Sequence, residues 1–227
     1  MNKSIILTGN KGFIGRYLEK ELNKSGYNVI GYDMEKNLED EDIVNKIMSI
    51  NNKSKYLINA FAINDHIDNK ESKKTSLSTT PLESFKRYMD VNVSSLYSVC
   101  SEFIKTRETG NIINFSSIYG LLSPNPKIYE ENRSKAIGYS ISKSSVISLT
   151  KYLAAHYAPK FRVNSLALGG IYNNQNLQFV KNYSDIVPIN RMMKIEEVLP
   201  SILFLIDDNN SYMTGSTLTI DGGYSII

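Results

Sequence analysis

The sequence has few of the residues that form cross-links, metal sites or membrane spans. A single cysteine, Cys100, excludes an internal disulfide and indicates a reducing, cytoplasmic setting. The two histidines, His66 and His156, have no neighbours at metal-ligand spacing, so we expect no metal site. No apolar run approaches the roughly 20 residues that a membrane-spanning helix needs. We therefore expect a cytoplasmic protein with no metal and no contact with a membrane.

The net charge of the chain is also small. The 26 basic and 23 acidic residues leave a net charge of +3, which is too small to indicate a nucleic-acid partner. Apolar residues make up 41% of the chain and charged residues 22%, as is usual in globular domains. A length of 227 residues suits one α/β domain with little left for a second. Without a repeat or linker in sight, we expect a single domain over residues 1–227.

A strand, a glycine-rich turn and a helix open the chain. Residues 4–7 form an apolar run that predicts a strand covered on both faces, and Ile14, Leu18 and Leu22 recur as on one face of a helix. Glycines in the turn would let the backbone approach a pyrophosphate, and the helix N-terminus would offer free N–H groups. A tight turn that binds nothing is the alternative. The candidate contacts are Gly9, Lys11, Gly12, Phe13, Ile14 and Gly15.

The second predicted strand, residues 27–33, ends in an acidic residue. Asp33 lies where a carboxylate binds the adenosine ribose in dinucleotide-binding folds. It would accept a hydrogen bond from the 2′-hydroxyl and repel a 2′-phosphate, which favours NAD over NADP. Lys11 could reach such a phosphate, although we favour a solvated loop lysine. Residues 34–38 leave room for only a stunted third strand, and Asn37 and Leu38 could lie beside the adenine.

Strands and helices alternate along the rest of the chain. We predict a helix over residues 80–106 with Asn92 in its apolar part, where the amide either pins neighbouring backbone or holds a water near the site. Residues 171–191 are polar and loosely patterned, as substrate-covering lids often are. The alternation predicts a doubly wound parallel sheet. The other predicted strands are 55–62, 112–115, 162–168 and 216–220, and the other predicted helices are 39–50 and 195–206.

Residues 111–143 bring together three groups that could do chemistry. A buried strand ends in Ser116 and Ser117, and a glycine turn follows at Gly120. Tyr139 and Lys143 are four residues apart, so on a helix both project from one face. A hydroxyl, a phenol and an ammonium group could therefore converge on one substrate oxygen. Each also has a plainer explanation, because strand-end serines form turns and the tyrosine–lysine spacing arises by chance.

An ordered set of motifs gives these groups a context. The chain contains, in order, TGNKGFIG, Asp33, NAFA, Asn92, NFSS, YSISK, RVNSLALGG and YMTGSTLTIDGG. Together they resemble the short-chain dehydrogenase/reductase family along essentially the whole chain. The resemblance implies an α/β fold with a Rossmann-type doubly wound parallel sheet in a single domain. It also implies a nicotinamide cofactor, for which Asp33 favours NAD over NADP, and a homodimer or homotetramer formed through the long helices.

The resemblance also assigns site residues. The catalytic set falls on Asn92, Ser117, Tyr139 and Lys143, where Ser117 is the second serine of the NFSS run. Further cofactor contacts fall on Asn59, Ala60, Phe61, Tyr139, Lys143, Gly169, Gly170 and Ile171.

Three features depart from the family pattern. The TGxxGxxG spacing resembles the family's extended, sugar-nucleotide branch, whereas the length and the closing DGG resemble its shorter branch. The NAFA run replaces Asn-Asn-Ala-Gly and makes the cofactor wall bulkier at Phe61. Leu168 replaces the usual proline, and Asn173 stands where a threonine often meets the nicotinamide amide.

A longer connection separates the catalytic serine and tyrosine. Ser117 and Tyr139 are 22 positions apart, which exceeds the usual spacing. Together with NIINFSSIYG before it and residues 168–171 after it, the insert is similar to that of bacterial oxidoreductases from flagellin- and surface-sugar-modification pathways. Its cationic side chains could engage a sugar phosphate or carboxylate, and a solvated loop of mixed charge is the alternative. The insert covers residues 124–136 and contains Lys127, Tyr129, Glu130, Glu131, Arg133 and Lys135.

These observations lead to one function. We expect an NAD(H)-dependent oxidoreductase that interconverts a carbonyl and a secondary alcohol, on a small-molecule substrate derived from a sugar of surface-glycan biosynthesis. Tyr139 would act as the acid/base, with its pKa lowered by the nearby ammonium of Lys143. Asn92 would hold a water that links Lys143 to solvent. The alternatives are a catalytically silent nicotinamide-binding regulatory protein and a sugar-nucleotide epimerase or dehydratase, for whose larger substrate domain the chain is too short.

Overall fold

A single parallel sheet organises the fold. The computed structural model describes residues 3–33, 38–64, 80–129 and 134–227, and six strands within them follow the order β2-β1-β3-β4-β5-β6. The chain runs outward from β1 to β2 and then returns to build the other half, so the predicted doubly wound, Rossmann-type sheet is confirmed. The strands are β1 Ser4–Thr8, β2 Asn28–Tyr32, β3 Tyr56–Asn59, β4 Gly110–Phe115, β5 Phe161–Leu168 and β6 Thr217–Ile220.

Seven helices lie in the described part of the chain. The helix predicted over residues 80–106 is observed as α3 and α4, which a π-helical turn at Asp90–Ser94 joins. The segment 171–191 contains α6, which the sequence did not predict. Of the expected stunted strand, residues 34–37 lie outside the described residues, and Leu38 lies in a turn. The helices are α1 Phe13–Lys24, α2 Glu41–Ile50, α3 Leu82–Met89, α4 Ser95–Lys105, α5 Ile137–Tyr157, α6 Leu177–Ile186 and α7 Leu199–Ile206.

Alternating side chains give the sheet two apolar faces. In β1, Ile6 belongs to the core on one face, whereas Ile5 and Leu7 belong to the core on the other. Helices α2, α4 and α5 cover the first face, and α1 and α7 cover the second. Continuous burial on both faces explains why the central strands are apolar throughout rather than alternating.

A third apolar cluster lies beyond the sheet and joins α6 to the turns after β4 and β6. The Tyr183 and Tyr224 rings stack in it with their centroids 5.3 Å apart. Because this cluster holds α6 against the turn after β4, it forms one wall of the cleft described below. Its members are Ile118, Ile128, Tyr129, Tyr183, Val187, Met192 and Tyr224.

A buried polar chain ties the central strands together beneath the same edge. Thr8 Oγ1 donates to Asn59 Oδ1 over 2.8 Å, and Asn59 Nδ2 donates to Asn114 Oδ1 over 2.9 Å. Asn114 Nδ2 continues to Thr150 Oγ1 on α5 over 3.0 Å. Cys100 is fully buried beside these amides, and burial raises the pKa of its thiol to about 12. The network fixes where strands β1, β3 and β4 end relative to α5.

No helix among the described residues has the length and apolar character needed to cross a membrane. Within those same residues, no three His, Cys, Asp or Glu side chains are grouped so that they could hold a metal ion.

Candidate active site

A cleft of about 440 Å³ opens at the carboxyl ends of the strands. The segments that follow β1, β3, β4 and β5 all contribute to it, through Gly12, Ala60, Ser116 and Gly169. In open α/β sheets, ligands bind in the crevice at this edge. The cleft therefore lies where the strand order of the sheet predicts a binding site.

The glycine-rich turn after β1 forms one end of the cleft. Gly9 has a φ of +79°, and a Cβ there would lie 2.5 Å from the backbone nitrogen of Phe61. A Cβ on Gly15 would lie 1.9 Å from the carbonyl oxygen of Gly9, so both positions need glycine to fit this turn. Gly9 and Gly15 shape the turn, whereas Gly12, Phe13 and Ile14 line the cleft.

The N-terminus of α1 is suited to an anion. Gly12 occupies the cap position, no side chain caps the helix, and its first turn carries no acidic residue. The helix start therefore presents backbone N–H groups and the positive end of the helix dipole to the cleft. These features fit a phosphate group of a dinucleotide.

Asp33 is held close to this turn. Its Oδ2 accepts a hydrogen bond from the backbone N–H of Lys11 over 2.7 Å. This contact brings the end of β2 against the turn, which is the position expected for a ribose-binding carboxylate. Lys11 itself is exposed, and neither residue lines the cleft.

The structure describes only one of the two residues predicted beside the adenine, Asn37 and Leu38. Asn37 lies outside the described residues. Leu38 is only 2% exposed and packs in the core cluster with Val44 and Ile47 of α2. Its side chain supports the sheet and does not reach the cleft.

The residues after β3 divide between the cleft and the core. Ala60 lines the cleft, and so do Ala62 and Asn64, which the sequence did not single out. Asn59 is 2% exposed, and both ends of its amide are used in the buried polar chain. Phe61 packs in the core between the sheet and helices α2, α4 and α5. Of the three residues Asn59, Ala60 and Phe61, the structure thus places Ala60 in the cleft lining.

Ser117 and Tyr139 come together inside the cleft. Both line the cleft and are buried, with 7% and 9% of their surfaces exposed. Ser117 is oriented by the turn after β4, because its Oγ accepts the backbone N–H of Tyr119 over 3.2 Å. Burial raises the pKa of Tyr139, and the neighbouring Ser117 hydroxyl opposes that rise.

Lys143 lies one helical turn beyond Tyr139 and is 4% exposed. Its Nζ donates to the carbonyl oxygen of Phe115 over 2.8 Å and lies 5.8 Å from the centroid of the Tyr139 ring. Burial, followed by the charge of Lys135, lowers the pKa of Lys143 to about 8. The net pKa of Tyr139 is raised and not lowered as expected, because desolvation dominates at the phenol.

Asn92 lies in the π-helical turn and outside the cleft lining. Its Oδ1 accepts the backbone N–H of Ile63 over 2.8 Å, and its Nδ2 donates to the carbonyl oxygen of Ile63 and to Ser142 Oγ. Of the two expected roles for this amide, the structure favours the pinning of neighbouring backbone. It holds the segment after β3 against α5, and Ser142 lies next to Lys143 in that helix.

The segment after β5 forms the opposite wall. Gly169, Gly170 and Ile171 all line the cleft, as does Asn173. The backbone N–H of Gly170 donates to the hydroxyl of Tyr183 over 2.6 Å, so α6 is fixed to this wall.

Several cleft residues were missed by the sequence reasoning. Phe179 and Tyr183 are four residues apart on α6, a spacing that could have identified the face of this helix. Tyr119 and Tyr129 have no local pattern that marks them, and they meet through a hydroxyl–hydroxyl hydrogen bond of 3.0 Å. The remaining additions are Gln175, Asn176 and Met192.

The insert places one of its cations in the cleft. Lys135 Nζ lies 4.4 Å from the centroid of the Tyr139 ring and hydrogen-bonds to Asn64 Oδ1. Lys127 is exposed and Tyr129 is buried. The other charged members, Glu130, Glu131 and Arg133, lie outside the described residues.

The comparisons with known proteins agree with this geometry. A family model described as enoyl-(acyl carrier protein) reductase matches residues 4–225. The chain belongs to the short-chain dehydrogenase/reductase family. A short-chain dehydrogenase from Leptospira borgpetersenii, solved with bound NAD+, superposes with a TM-score of 0.87 at 26% identity, covering 99% of this chain and 93% of that one.

Two curated relatives are similar to the chain over part of their length. Post-translational flagellin modification protein A of Campylobacter coli is 34% identical over 127 residues, which cover 55% of this chain and 50% of that protein. Glucose 1-dehydrogenase 2 of Bacillus subtilis is 32% identical over 155 residues, which cover 64% of this chain and 57% of that protein. The chain therefore spans about half the length of these curated relatives.

Proposed function

We propose that this chain interconverts a carbonyl and a secondary alcohol, with NAD(H) as its cofactor and Tyr139 as the acid/base. The observation that carries the proposal is that Ser117, Tyr139 and Lys143 line one cleft, with Lys143 Nζ 5.8 Å from the centroid of the Tyr139 ring. Membership of the short-chain dehydrogenase/reductase family supports this assignment.

Each of the three groups has a distinct task. Ser117 donates a hydrogen bond to the substrate oxygen and holds it beside the phenol. In the reducing direction Tyr139 gives its proton to that oxygen, and in the oxidising direction it takes the proton back. The bound nicotinamide supplies or accepts the hydride. Because the phenolate formed by this transfer is buried, the nearby Lys143 ammonium offsets its charge.

In this proposal Asn92 holds neighbouring residues in place and does not take part in the chemistry. Its amide fixes the backbone of Ile63 and the hydroxyl of Ser142, and so sets the wall of the cleft relative to α5. We assign it the role of a positioning residue for Lys143, and the water that would connect Lys143 to solvent remains a prediction.

NAD is the cofactor that these residues favour. The uncapped start of α1 suits a phosphate, and Asp33 beside it suits the two hydroxyls of an unmodified ribose. A 2′-phosphate would meet the carboxylate of Asp33, so we propose that NADP binds less well. The Leptospira relative with bound NAD+ supports this choice.

The substrate is a sugar derivative in this proposal. Tyr129 and Phe179 supply aromatic surface in the cleft, with ring centroids 5.7 Å apart, on which the carbon face of a sugar ring could pack. The names of the Campylobacter and Bacillus relatives support a role in sugar chemistry, and the former supports a place in surface-glycan biosynthesis.

We also propose that the protein is cytoplasmic and forms a homodimer or homotetramer. Tyr97 on α4 and Tyr152 on α5 are 57% and 58% exposed, which leaves aromatic surface on the two long helices for a second copy to cover.

The test is NADH oxidation by the purified protein against a panel of keto-sugars, their phosphates and their nucleotide-linked forms. Turnover on members of the panel supports the proposal and identifies the substrate type. Tight NADH binding without any turnover would favour the catalytically silent, nicotinamide-binding alternative. Failure to bind NADH would contradict the proposal itself.

A further inference from the structure

We propose that Tyr129 is a specificity-determining residue, whose hydroxyl, held in place by Tyr119, binds a second hydroxyl of the substrate besides the reacting oxygen. This inference rests on the proposed function, because it concerns the substrate of the same cleft. It gives a role to a neutral residue of the insert that neither the cofactor nor the proton transfer requires.

Tyr129 is connected to the catalytic group by a short series of contacts. It lies directly after the single helical turn Pro126–Ile128 of the insert and lines the cleft. A hydrogen bond of 3.0 Å joins its hydroxyl to that of Tyr119, and the Tyr119 backbone N–H donates to Ser117 Oγ over 3.2 Å. Tyr129 is therefore tied to the turn that orients the catalytic serine.

Five aromatic rings hold this hydroxyl pair in a closed frame. Two rings of α6 and one that follows β6 connect Tyr129 with Tyr119 on the side away from their hydrogen bond. The successive ring centroids lie 5.7 Å apart for Tyr129 and Phe179, 6.2 Å for Phe179 and Tyr183, 5.3 Å for Tyr183 and Tyr224, and 6.5 Å for Tyr224 and Tyr119. A side chain fixed by packing presents its polar group in one orientation, which is what specific binding requires.

The Tyr129 hydroxyl has hydrogen-bonding capacity that the protein does not use. Tyr129 is only 7% exposed, and buried hydroxyls usually have their capacity filled. Among the described residues, only the hydroxyl of Tyr119 bonds to it. If Tyr129 is the donor in that bond, its lone pairs remain for a ligand, and if it is the acceptor, its proton remains. A ligand hydroxyl fits either case, because it can both donate and accept.

The pair is also uncharged near neutral pH. Burial raises the pKa of Tyr119 and that of Tyr129, so both phenols stay protonated. Tyr139 is among the neighbours that add to the rise in the pKa of Tyr129, so the two phenols are close enough to interact. A neutral donor and acceptor near the reacting group suits an alcohol function of the substrate.

The test is a calorimetric titration of alcohols into the protein, with and without saturating NADH. The probes are cyclohexanol, which carries one hydroxyl, and the isomers of cyclohexanediol, which carry a second hydroxyl at different positions. NADH cannot reduce these alcohols, so the signal reports binding alone. Tyr129→Phe removes only the hydroxyl, and Tyr172→Phe is the matched control, because Tyr172 is 46% exposed and lies outside the cleft lining. The unfolding midpoint of each variant is measured alongside.

We expect at least one cyclohexanediol isomer to bind the natural protein roughly 3- to 10-fold more tightly than cyclohexanol, as one neutral hydrogen bond predicts. In Tyr129→Phe that isomer should bind no better than cyclohexanol, whereas Tyr172→Phe should keep the preference. The preferred isomer identifies how far the second hydroxyl lies from the reacting oxygen.

Two results would overturn the inference. One is that no isomer binds the natural protein better than cyclohexanol does. The other is that Tyr129→Phe and Tyr172→Phe bind the isomers alike, in which case Tyr129 only fastens the insert to the turn after β4.

The titration separates this inference from the proposed function, because it does not depend on turnover. A diol preference that requires Tyr129, in a protein that reduces none of the keto-sugars, would leave the inference standing and count against the proposed reaction. Turnover on a keto-sugar without any diol preference would do the reverse.

Discussion

Lys143 Nζ donates a 2.8 Å hydrogen bond to the carbonyl oxygen of Phe115, the last residue of β4, and so ties α5 to the strand that carries Ser117. The same contact holds the ammonium 5.8 Å from the centroid of the Tyr139 ring. Burial at this position lowers the pKa of Lys143 from 10.5 to about 8. The charge that balances a tyrosinate is therefore present below about pH 8 and is lost as the pH rises above it.

Loss of the positive charge on Lys143 predicts how the reaction rate depends on pH. We expect the rate of carbonyl reduction at saturating substrate to fall as the pH rises through about 8, because the neutral amine no longer stabilises the phenolate. Tyr139 does not cause this fall, since its own pKa is raised above the ordinary value of 10.0. In Lys143→Arg the guanidinium stays charged, so the remaining activity should lack the fall. A pH–rate profile with the same fall in both proteins would contradict the assignment.

Asn92→Ala should destabilise the protein. The substitution leaves the N–H and carbonyl of Ile63 and the hydroxyl of Ser142 without their amide partner, at a cost of about 2–3 kcal/mol in the free energy of unfolding. Urea denaturation measures the loss. Asn45→Ala is the matched control, because that exposed amide makes a single hydrogen bond to Glu102, and we expect it to cost less than about 1 kcal/mol. Equal costs would show that Asn92 does not pin this segment.

The turn after β1 gives a second stability test. Gly9 and Gly26 both have positive φ angles, of +79° and +83°, but only Gly9 has neighbours that an added Cβ would strike. Gly26→Ala should cost about 1–2 kcal/mol through backbone strain alone. Gly9→Ala adds the clash with Phe61 and should cost at least about 3 kcal/mol in unfolding free energy. Similar costs for the two variants would contradict the close approach of the segment after β3.

Asp33 should control the choice of cofactor. Asp33→Asn keeps an acceptor for the Lys11 N–H but removes the charge that repels a 2′-phosphate. We expect the preference for NADH over NADPH to fall roughly tenfold, as measured by fluorescence titration of each cofactor. Asp208→Asn, which removes a charge from the exposed ion pair with Lys55, is the control and should leave the ratio unchanged. An unchanged ratio in Asp33→Asn would remove this residue from the cofactor site.

The predicted side chains that the structure brings into one cleft are placed there by short-range geometry. The four-residue spacing of Tyr139 and Lys143 on a helix fixes their common face, and Ser117 follows directly from the end of β4. The glycine turn is recognisable because a strand precedes it and a helix follows. In each case, residues that are close in the sequence are sufficient to predict the local geometry.

The contacts that the sequence could not reveal depend on packing between distant segments. Asn59 looked like a cofactor contact, but Thr8 and Asn114 from neighbouring strands engage its amide. Leu38 was expected beside the adenine, yet the core over α2 buries it. The hydrogen bond from Lys143 to Phe115 joins residues 28 positions apart, and no local pattern reveals it. Such partners become visible only when the sheet and its helices are assembled.

The most direct test of the proposed chemistry compares the natural protein with Tyr139→Phe. The variant loses only a hydroxyl, so we expect turnover with NADH to fall by at least about 100-fold while the dissociation constant for NADH stays within about twofold. Tyr212→Phe, which removes a hydroxyl from a fully exposed side chain, should match the natural protein in both quantities. Full turnover in Tyr139→Phe would contradict the account, because the proton would then come from another group.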